Sequence, residues 1–328
     1  MFNCSLALEM ESYLEIRAAI VSKATTQYDR SSLMLLDKYL VEKEYSNKFL
    51  TEDILSGWIM TLDGKSKTVS EKIGSIRGFV KYLNHQGVPS FLPSPPRVKS
   101  SYIPYIFNDD EIATIMHLAD NIEVKSLKGC SPYIQLKIPM ILRILYGCGT
   151  RLGETVALQR RDIDFKNETL FWRTTKNSKE RIVPVDQSLI CVLEKYCCAI
   201  KIMDKPNAYL FPGAKIGTHL TKRQTLVWFM RILKLANIDQ RKISSERGAN
   251  LHCFRHLFVL KSMQKLESAG HPVDLNDLVL PTYLGHNCLI DTDQYMRFSG
   301  ANVPQAIDAF ERFTIGLIPK VEVAYEEK

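Results

Sequence analysis

The sequence predicts a mainly α-helical protein with one small antiparallel β-sheet, divided into a helical N-terminal domain and a larger C-terminal domain. Apolar residues recur at the three- and four-residue spacing of amphipathic helices through most of the chain. A proline-rich stretch interrupts this pattern, and three strand-like segments follow one another near the middle of the chain. A length of 328 residues is itself typical of two domains.

Residues 1–92 are predicted to form a helical domain of four helices. We expect the first helix to run from Leu6 to about Ser22 and to bury one apolar face. We expect Ser31 and Ser32 to cap the second helix, because serine hydroxyls accept hydrogen bonds from the free N–H groups at helix starts. The apolar face predicted for the first helix consists of Leu14, Ile16, Ala18, Ala19 and Val21.

The third and fourth helices are predicted to open at Thr51 and Thr68, which again place a hydroxyl before an apolar run. Gly87 is expected just past the end of the fourth helix, because helices often end at a residue with positive φ. The inward face predicted for the fourth helix consists of Ile73, Ile76, Phe79, Val80 and Leu83.

Residues 93–105 are predicted to form an extended basic linker. Proline has no backbone N–H and restricts the residue before it, so this stretch cannot continue a helix. Arg97 and Lys99 give the stretch positive charge, which suits either a solvated linker or a contact with a phosphate backbone. The prolines are Pro93, Pro95, Pro96 and Pro104.

Residues 106–313 are predicted to form the larger domain, and a tail with apolar residues follows at 314–328. A capped helix is expected to begin near Asn108, and the apolar run from Ile134 to Tyr146 should be a buried helix. Short polar turns join three strand segments, which therefore form an antiparallel sheet. The strand segments are residues 162–165, 169–174 and 181–185, and helices resume near Gln187.

Composition narrows the class of protein. Basic residues exceed acidic ones by 43 − 36 = 7, which suits a polyanionic partner. The eight cysteines form no C-x-x-C pair and no zinc-type Cys/His spacing, so we expect no metal site. We predict that they are reduced thiols packed in apolar surroundings. Free thiols at this density indicate a protein of the reducing cytoplasm. No uncharged apolar run approaches the roughly 20 residues of a membrane helix, and we expect no signal peptide and no membrane contact.

Five short segments carry the candidate chemistry, and their order matters as much as their content. Each segment alone is also typical of residues without a catalytic role; Arg151 and Glu154, for example, have the spacing of an i,i+3 ion pair on a helix surface. Their joint occurrence in one order is the informative signal. The segments are Gly149-Thr-Arg151-Leu-Gly-Glu154, Lys176 before Lys179-Glu-Arg-Ile-Val-Pro184, His252-Cys-Phe-Arg255, Leu284-Gly-His286 and Asp293-Gln-Tyr295.

These segments contain the residue types that phosphodiester transfer without a metal needs. The guanidinium groups of Arg151 and Arg255 can hold two non-bridging phosphate oxygens at once. Tyr295 supplies a hydroxyl nucleophile, and the neighbouring motifs supply His252 and His286 for hydrogen bonding or proton transfer. A lysine on a flexible hairpin can protonate the departing oxygen.

The ordered series resembles the tyrosine recombinase, or phage integrase, family over residues 106 to about 313. The spacing from His286 to Tyr295 (295 − 286 = 9) is similar to the family pattern. The N-terminal helices resemble the family's core-binding domain, with its SAM-like fold, and the larger domain resembles its catalytic domain. Because the helices begin almost at Met1, the chain resembles the small two-domain recombinases of Xer or transposon type.

The resemblance implies a role for each matching residue. Arg151 and Arg255 would hold the scissile phosphate, and Glu154 would support Arg151 from behind. Tyr295 would attack the phosphate and form a 3′-phosphotyrosine. Charge stabilisation and proton transfer would be shared by the two histidines of the series, His252 and His286.

The resemblance implies that Lys176 is the general acid toward the departing 5′ oxygen. Family hairpins often place glycines around this lysine, whereas Thr175 and Asn177 flank Lys176 here, so Lys179 remains an alternative. His256, in the same motif as the second arginine, is expected to be structural, and a role in the site stays open.

The resemblance also implies partners. The substrate would be double-stranded DNA, held by a homo-tetramer on paired sites with two copies per site, and strands would exchange through a Holliday junction without any cofactor. Accessory proteins that bend DNA or set directionality fit the same scheme. Two alternatives remain at this point: a nicking-closing enzyme similar to type IB topoisomerases, and a non-catalytic DNA-binding regulator, which would have no need of Tyr295.

Overall fold

A computed structural model describes residues 2–96, 104–123, 131–173, 180–238 and 248–268. The chain divides into two compact units, Met1–Ser101 and Tyr102–Lys328. The division lies inside the stretch predicted as a linker. The described parts of that stretch, residues 93–96 and 104–105, belong to no helix or strand.

Four helices build the first unit: α1 (Ala7–Ile20), α2 (Lys23–Glu42), α3 (Glu52–Met60) and α4 (Ser66–His85). As predicted, Thr51 caps α3 by accepting a hydrogen bond from the Ile54 N–H at 3.4 Å, and Gly87 follows α4 with a φ of +81°. α4 begins two residues before the predicted Thr68. Its predicted inward face is confirmed, since these five side chains are fully buried: Ile73, Ile76, Phe79, Val80 and Leu83.

The predicted start of α2 is wrong. Ser22 caps this helix by accepting a hydrogen bond from the Thr25 N–H at 3.2 Å, and Ser31 and Ser32 lie well inside it. Both hydroxyls donate instead to the carbonyl four residues earlier, at 2.9 and 3.2 Å. A serine whose hydroxyl is satisfied in this way is tolerated in a helix interior, so its presence did not mark a helix start.

The predicted inward face of α1 is also wrong, apart from Leu14. Met10, Tyr13 and Leu14 are buried, because they lie on the side of α1 that packs against α2 and α4. The other predicted positions carry apolar residues on the remaining faces of the helix, and packing decides which face is covered. Of those positions, Ile16, Ala18 and Ala19 are exposed and Val21 is half-buried.

The second unit is organised around α6 (Ile134–Cys148), which contacts five other helices. α6 is apolar and mostly buried, as its sequence predicts. Asn108 caps α5 through a reciprocal pair of hydrogen bonds with Glu111, as expected at this start. The other helices are α5 (Asp109–Asp120), α7 (Leu152–Val156), α8 (Gln187–Ala199), α9 (Lys222–Leu235) and α10 (Cys253–Ser268), with a 3-10 turn at Arg160–Asp162.

The predicted antiparallel sheet is confirmed, with strands β1 (Ile163–Asp164), β2 (Thr169–Trp172) and β3 (Arg181–Pro184) in the order β1-β2-β3. Trp172 pairs with Arg181, and Leu170 pairs with Val183. Side chains alternate between the two faces of a strand, so Arg181 lies on the same face as the fully buried Val183, and Ile182 points outward.

The cysteine prediction holds in part. Six cysteines lie among the described residues and all are free thiols, but Cys191 and Cys198 are exposed rather than packed as small hydrophobes. Both occupy the outer face of α8, where helical spacing turns them away from the buried Leu193 and Cys197. In the described part of the chain, none of the helices has the length and apolar character needed to cross a membrane.

Candidate active site

The site begins at the turn after α6, where Gly149 brings the chain against α10. Gly149 has a φ of +58°, which L side chains rarely adopt. A Cβ atom at this position would lie only 2.3 Å from Cδ1 of Phe258 on α10. Glycine therefore permits both the backbone turn and the close contact that places Arg151 beside α10.

Arg255 approaches the same turn from α10. Its side chain is 1% exposed, and Nη1 donates a hydrogen bond to the Gly149 carbonyl at 2.9 Å, across 106 positions of sequence. Cys253, Phe254 and Leu257 pack into the core around it. This setting holds the guanidinium in one orientation, as a phosphate-binding group requires.

Arg151 lies at the start of α7 and is more open than Arg255. Its side chain is 27% exposed, and Nη1 donates to Oε1 of Glu154 at 3.0 Å. The Arg151 N–H donates to the other oxygen of the same carboxylate at 3.3 Å. The guanidinium is thus fixed from one side while part of it still faces solvent, where a phosphate could approach.

Glu154 is buried and carries negative charge between two arginines. Besides Arg151, it accepts a hydrogen bond from Nη2 of Arg181 at 2.7 Å. Burial alone would raise the pKa of Glu154, but the hydrogen bonds and charges of Arg181 and Arg151 outweigh burial and hold the pKa below its ordinary value. The carboxylate therefore stays ionised at neutral pH and can orient Arg151.

His252 stands at the surface beside the two arginines. Protein atoms displace water from one side of its ring, and the charges of Arg255 and Arg151 add to this, so the pKa of His252 is lowered to about 4. Its ring packs edge-to-face on the buried His256, with centroids 4.8 Å apart. At neutral pH His252 is therefore an uncharged imidazole that can accept or donate a hydrogen bond.

The structure brings together four of the residues chosen from the sequence. The Arg255 N–H donates to the His252 carbonyl at 3.0 Å, the Arg255 side chain donates to Gly149, two residues before Arg151, and Arg151 hydrogen-bonds Glu154. The remaining chosen residues lie outside the described part of the chain: Lys176 with its alternative Lys179, His286 and Tyr295.

Two residues of the site were missed in the sequence. In the sequence Arg181 stands within the motif that follows Lys179, but a charged residue on the same strand face as Val183 also implies a buried partner of opposite charge. Lys222, at the start of α9, crosses α7 at Gly153, where a Cβ atom would lie 2.7 Å from its Nζ. No local pattern marks Lys222, because only the packing of α9 on α7 brings it there.

Comparison with known proteins identifies the family of the chain. The profile of the Phage integrase family matches residues 106–299, more than half of the chain. Tyrosine recombinase XerA of Pyrococcus horikoshii is 24% identical over 314 residues, which cover 93% of this chain and 93% of that protein. Tyrosine recombinase XerC of a Roseiflexus species is 27% identical over 290 residues, covering 84% of each chain.

A solved structure extends the likeness to the whole fold. The XerH site-specific recombinase, bound to its difH substrate in a pre-cleavage complex, matches with a TM-score of 0.68 and 18% identity. The match covers 92% of this chain and 97% of that one. It confirms the predicted fold class, a helical core-binding domain followed by a catalytic domain with a small antiparallel sheet.

Proposed function

The chain belongs to the phage integrase family and is a site-specific recombinase that cuts and rejoins DNA, and from this premise we propose how its residues divide the work. In the proposal, Tyr295 attacks a phosphate of double-stranded DNA. A 3′-phosphotyrosine forms and a 5′-hydroxyl is released. The hydroxyl of a partner strand then attacks the phosphotyrosine, and two such exchanges pass through a Holliday junction.

The two arginines at the Gly149 turn are the observation that carries the proposal. Negative charge builds on the non-bridging oxygens as the phosphate passes through its transition state, and fixed guanidinium groups stabilise that charge. Arg255 is fixed by burial and by the Gly149 carbonyl, and Arg151 by Glu154. Both are held before the substrate arrives, so little reorganisation opposes the reaction.

The low pKa of His252 assigns it a role as a neutral group. An uncharged imidazole can donate a hydrogen bond to a phosphate oxygen or accept a proton in the reaction. An anionic phosphate nearby would raise the pKa of His252, because opposite charge favours the protonated form. We infer a similar role for His286.

The lysine of the hairpin completes the proposed chemistry. The 5′ oxygen leaves as an alkoxide unless it is protonated, and an ammonium group is a suitable acid. We assign this role to Lys176, with Lys179 as the alternative. The phosphotyrosine retains the energy of the broken bond, so rejoining needs neither a nucleotide nor another cofactor.

We infer that the working assembly is four copies on two DNA sites, with two copies on each site. Charge supports DNA as the partner, since basic residues exceed acidic ones by 43 − 36 = 7, and phosphate contacts should make binding weaken steeply with salt. Accessory proteins that bend DNA or set directionality fit this scheme. We place the protein in the cytoplasm, where thiols such as the free Cys191 and Cys198 stay reduced.

A nicked suicide substrate tests the function. The nick lets the short fragment that carries the new 5′-hydroxyl diffuse away, so a cleaved site stays joined to protein as a covalent adduct. We expect the wild-type chain to form the adduct and Tyr295→Phe to bind the same DNA without forming it, because only the phenolic oxygen is lost. Tyr209→Phe, which removes a half-buried hydroxyl elsewhere in the unit, should behave as wild type.

Each rival assignment predicts a different outcome, in this assay or in a plasmid relaxation assay. An adduct that persists in Tyr295→Phe would remove this residue as the nucleophile. Relaxation of a supercoiled plasmid that lacks any paired site would favour a type IB topoisomerase activity. Tight DNA binding with no adduct on any nicked site would favour a non-catalytic regulator.

A further inference from the structure

Two arginine side chains bind opposite oxygens of Glu154, one from the residue that precedes α7 and one from the sheet. Arg151 contacts Oε1 at 3.0 Å and Arg181 contacts Oε2 at 2.7 Å. The Arg181 side chain is 9% exposed and the Glu154 side chain 4% exposed. Charge-assisted hydrogen bonds in such a dry setting are strong and tolerate little displacement of either partner.

Arg181 has few other attachments in the described part of the chain. Its guanidinium lies 5.7 Å from the ring centroid of Trp172, its neighbour across the sheet. Its Nε and Nη1 atoms are buried and have no hydrogen-bond partner among the described residues. Burial removes water from a guanidinium, and among the described residues the carboxylate of Glu154 is the hydrogen-bond acceptor that offsets this cost for Arg181.

The position of Arg181 in the sheet gives this ion pair a second consequence. Trp172 and Arg181 are paired residues of β2 and β3, and the chain between them contains Lys176 and Lys179. The ion pair between Arg181 and Glu154 therefore joins the base of that connection, which is the Trp172–Arg181 pair, to the start of α7. The phosphate-binding arginine and the segment with the proposed general acid share one buried carboxylate as their anchor.

We propose that Arg181 is a positioning residue that, through Glu154, holds Arg151 and the base of the Lys176 segment in register with each other. The inference rests on the proposed function, since it assigns Arg181 a share in the reaction attributed to Arg151. Arg181 itself touches neither substrate nor nucleophile in this account. Its effect passes through the carboxylate of Glu154.

Replacement of Arg181 should shift the pH dependence of DNA cleavage toward higher pH. Without Arg181, the carboxylate loses a hydrogen bond and a positive charge, while burial continues to favour the neutral acid. The pKa of Glu154 then rises, and Glu154 becomes protonated at a higher pH than in the wild type. A neutral Glu154 holds Arg151 less firmly, so cleavage should fail at a higher pH as the solution is acidified.

The other groups near Glu154 do not replace Arg181. Arg151 remains in every variant, and no described residue besides these two arginines hydrogen-bonds the carboxylate. Among the titratable and charged groups that other elements bring near Glu154 and its two arginines are Cys148 on α6, Lys222 on α9, and His252, Arg255 and His256 at the start of α10.

The test measures adduct formation on the nicked substrate from pH 5.5 to 9 in R181M, R181K and E154Q. We expect R181M to cleave about 10- to 100-fold more slowly at pH 7, since small misplacement of a reacting group has effects of this size. Its loss of activity on acidification should begin at a higher pH than in the wild type. R181K retains the charge and should restore most of the wild-type profile.

R173M is the matched control, because Arg173 joins the same hairpin to a different buried carboxylate, Asp162, at 2.5 Å. R173M should lose cleavage activity on acidification at the same pH as the wild type. A uniform, pH-independent loss in R181M, equal to that in R173M, would overturn the positioning role and leave only a structural one. Should R181M fail to fold, R181Q replaces it, since an amide keeps a donor but carries no charge.

A second measurement separates this inference from the proposed function. Carbon-13 labelling of glutamate carboxyl groups, with E154Q to assign the resonance, follows the titration of Glu154 in the free protein. The midpoint should lie higher in R181M than in the wild type and should not move in R173M. An unchanged midpoint overturns the inference even when the wild type cleaves DNA. A shifted midpoint without any cleavage by the wild type overturns the proposed function alone.

Discussion

At the level of single residues, Arg255 is the part of the site most constrained by its surroundings. It is buried on α10 and donates to the Gly149 carbonyl, and its charge helps to keep His252 neutral. Arg151 is 27% exposed and is held on one side by the carboxylate of Glu154. In the proposed reaction the two arginines would share the binding of one phosphate, Arg255 from a buried position and Arg151 from a partly open one.

Arg255→Lys should therefore reduce adduct formation by about 100-fold or more, because an ammonium cannot reproduce the planar fork and removing one such group typically has this effect. DNA binding should stay within a few-fold, since many phosphates share it. Adduct formation on the nicked substrate and a filter-binding assay measure the two properties. Arg231→Lys, at an arginine that stacks on Trp228 on α9, is the control and should leave cleavage unchanged. Near-normal cleavage by Arg255→Lys would show that this arginine does not bind the phosphate.

At the level of elements, the α6–α7 turn depends on glycine for two separate reasons. Gly149 needs a positive φ, and it also lacks the Cβ atom that would overlap Phe258. Gly217 has a φ of +76° but open space around it, so it shares only the first requirement. Substitutions at Gly149 and Gly217 can therefore separate the energy of backbone strain from the energy of a steric clash.

Gly217→Ala should lower the free energy of unfolding by about 1 kcal/mol, the usual result of a side chain at positive φ. Gly149→Ala should lower it by roughly 1–3 kcal/mol more, because Phe258 must move out of a packed position. Chemical denaturation of both variants measures the difference. Equal losses in the two variants would mean that the contact between the turn and α10 is loose.

The β2–β3 connection carries the second element-level prediction, which concerns the choice between Lys176 and Lys179. A DNA strand with a 5′-bridging phosphorothioate has a leaving group that needs no proton. It should therefore restore cleavage to Lys176→Ala but not to Arg151→Ala, whose loss concerns the phosphate itself. Cleavage rates on the normal and sulfur-substituted strands give the comparison. Restoration of Lys179→Ala in place of Lys176→Ala would transfer the role to Lys179.

Prediction of elements from the sequence worked where one signal dominated. The apolar run of α6 and the strand pattern before Gln187 each had one interpretation, and the structure agrees with both. The start of α2 and the inward face of α1 each had competing signals. Serine serves equally as a cap or as an interior residue bonded to its own helix, and only packing against α2 and α4 selects the buried face of α1.

At the level of the whole molecule, the proposed assembly places several copies of the chain together on DNA. The tail at 314–328 lies outside the described residues, and its sequence is apolar enough for either its own domain or a neighbouring copy. Docking of the tail on a neighbouring copy would couple cleavage by Tyr295 to assembly, since the tail follows that residue closely. Such coupling requires two states of the tail, docked and undocked, whose populations change on assembly.

Deleting residues 314–328 should leave binding to a single half-site intact and weaken cooperative binding to paired half-sites, because a contact between copies is lost. The rate of cleavage should change as well. Gel-shift titrations on one and on two half-sites measure the cooperativity. Deleting residues 326–328, which removes two glutamates and a lysine but no apolar residue, is the control. Unchanged cooperativity in a folded truncation would assign the tail to its own domain.

The sequence by itself determined the family and the fold class, and it supplied the residue types proposed for the site. Those conclusions depend on local patterns and on the order of motifs, which are properties of the chain alone. Only the tertiary structure decided that Arg181 shares Glu154 with Arg151, that Arg255 binds the Gly149 carbonyl 106 positions away, and that His252 is neutral. Contacts between distant positions and the exclusion of water arise when α6, α7, α10 and the sheet pack together, and no local pattern encodes them.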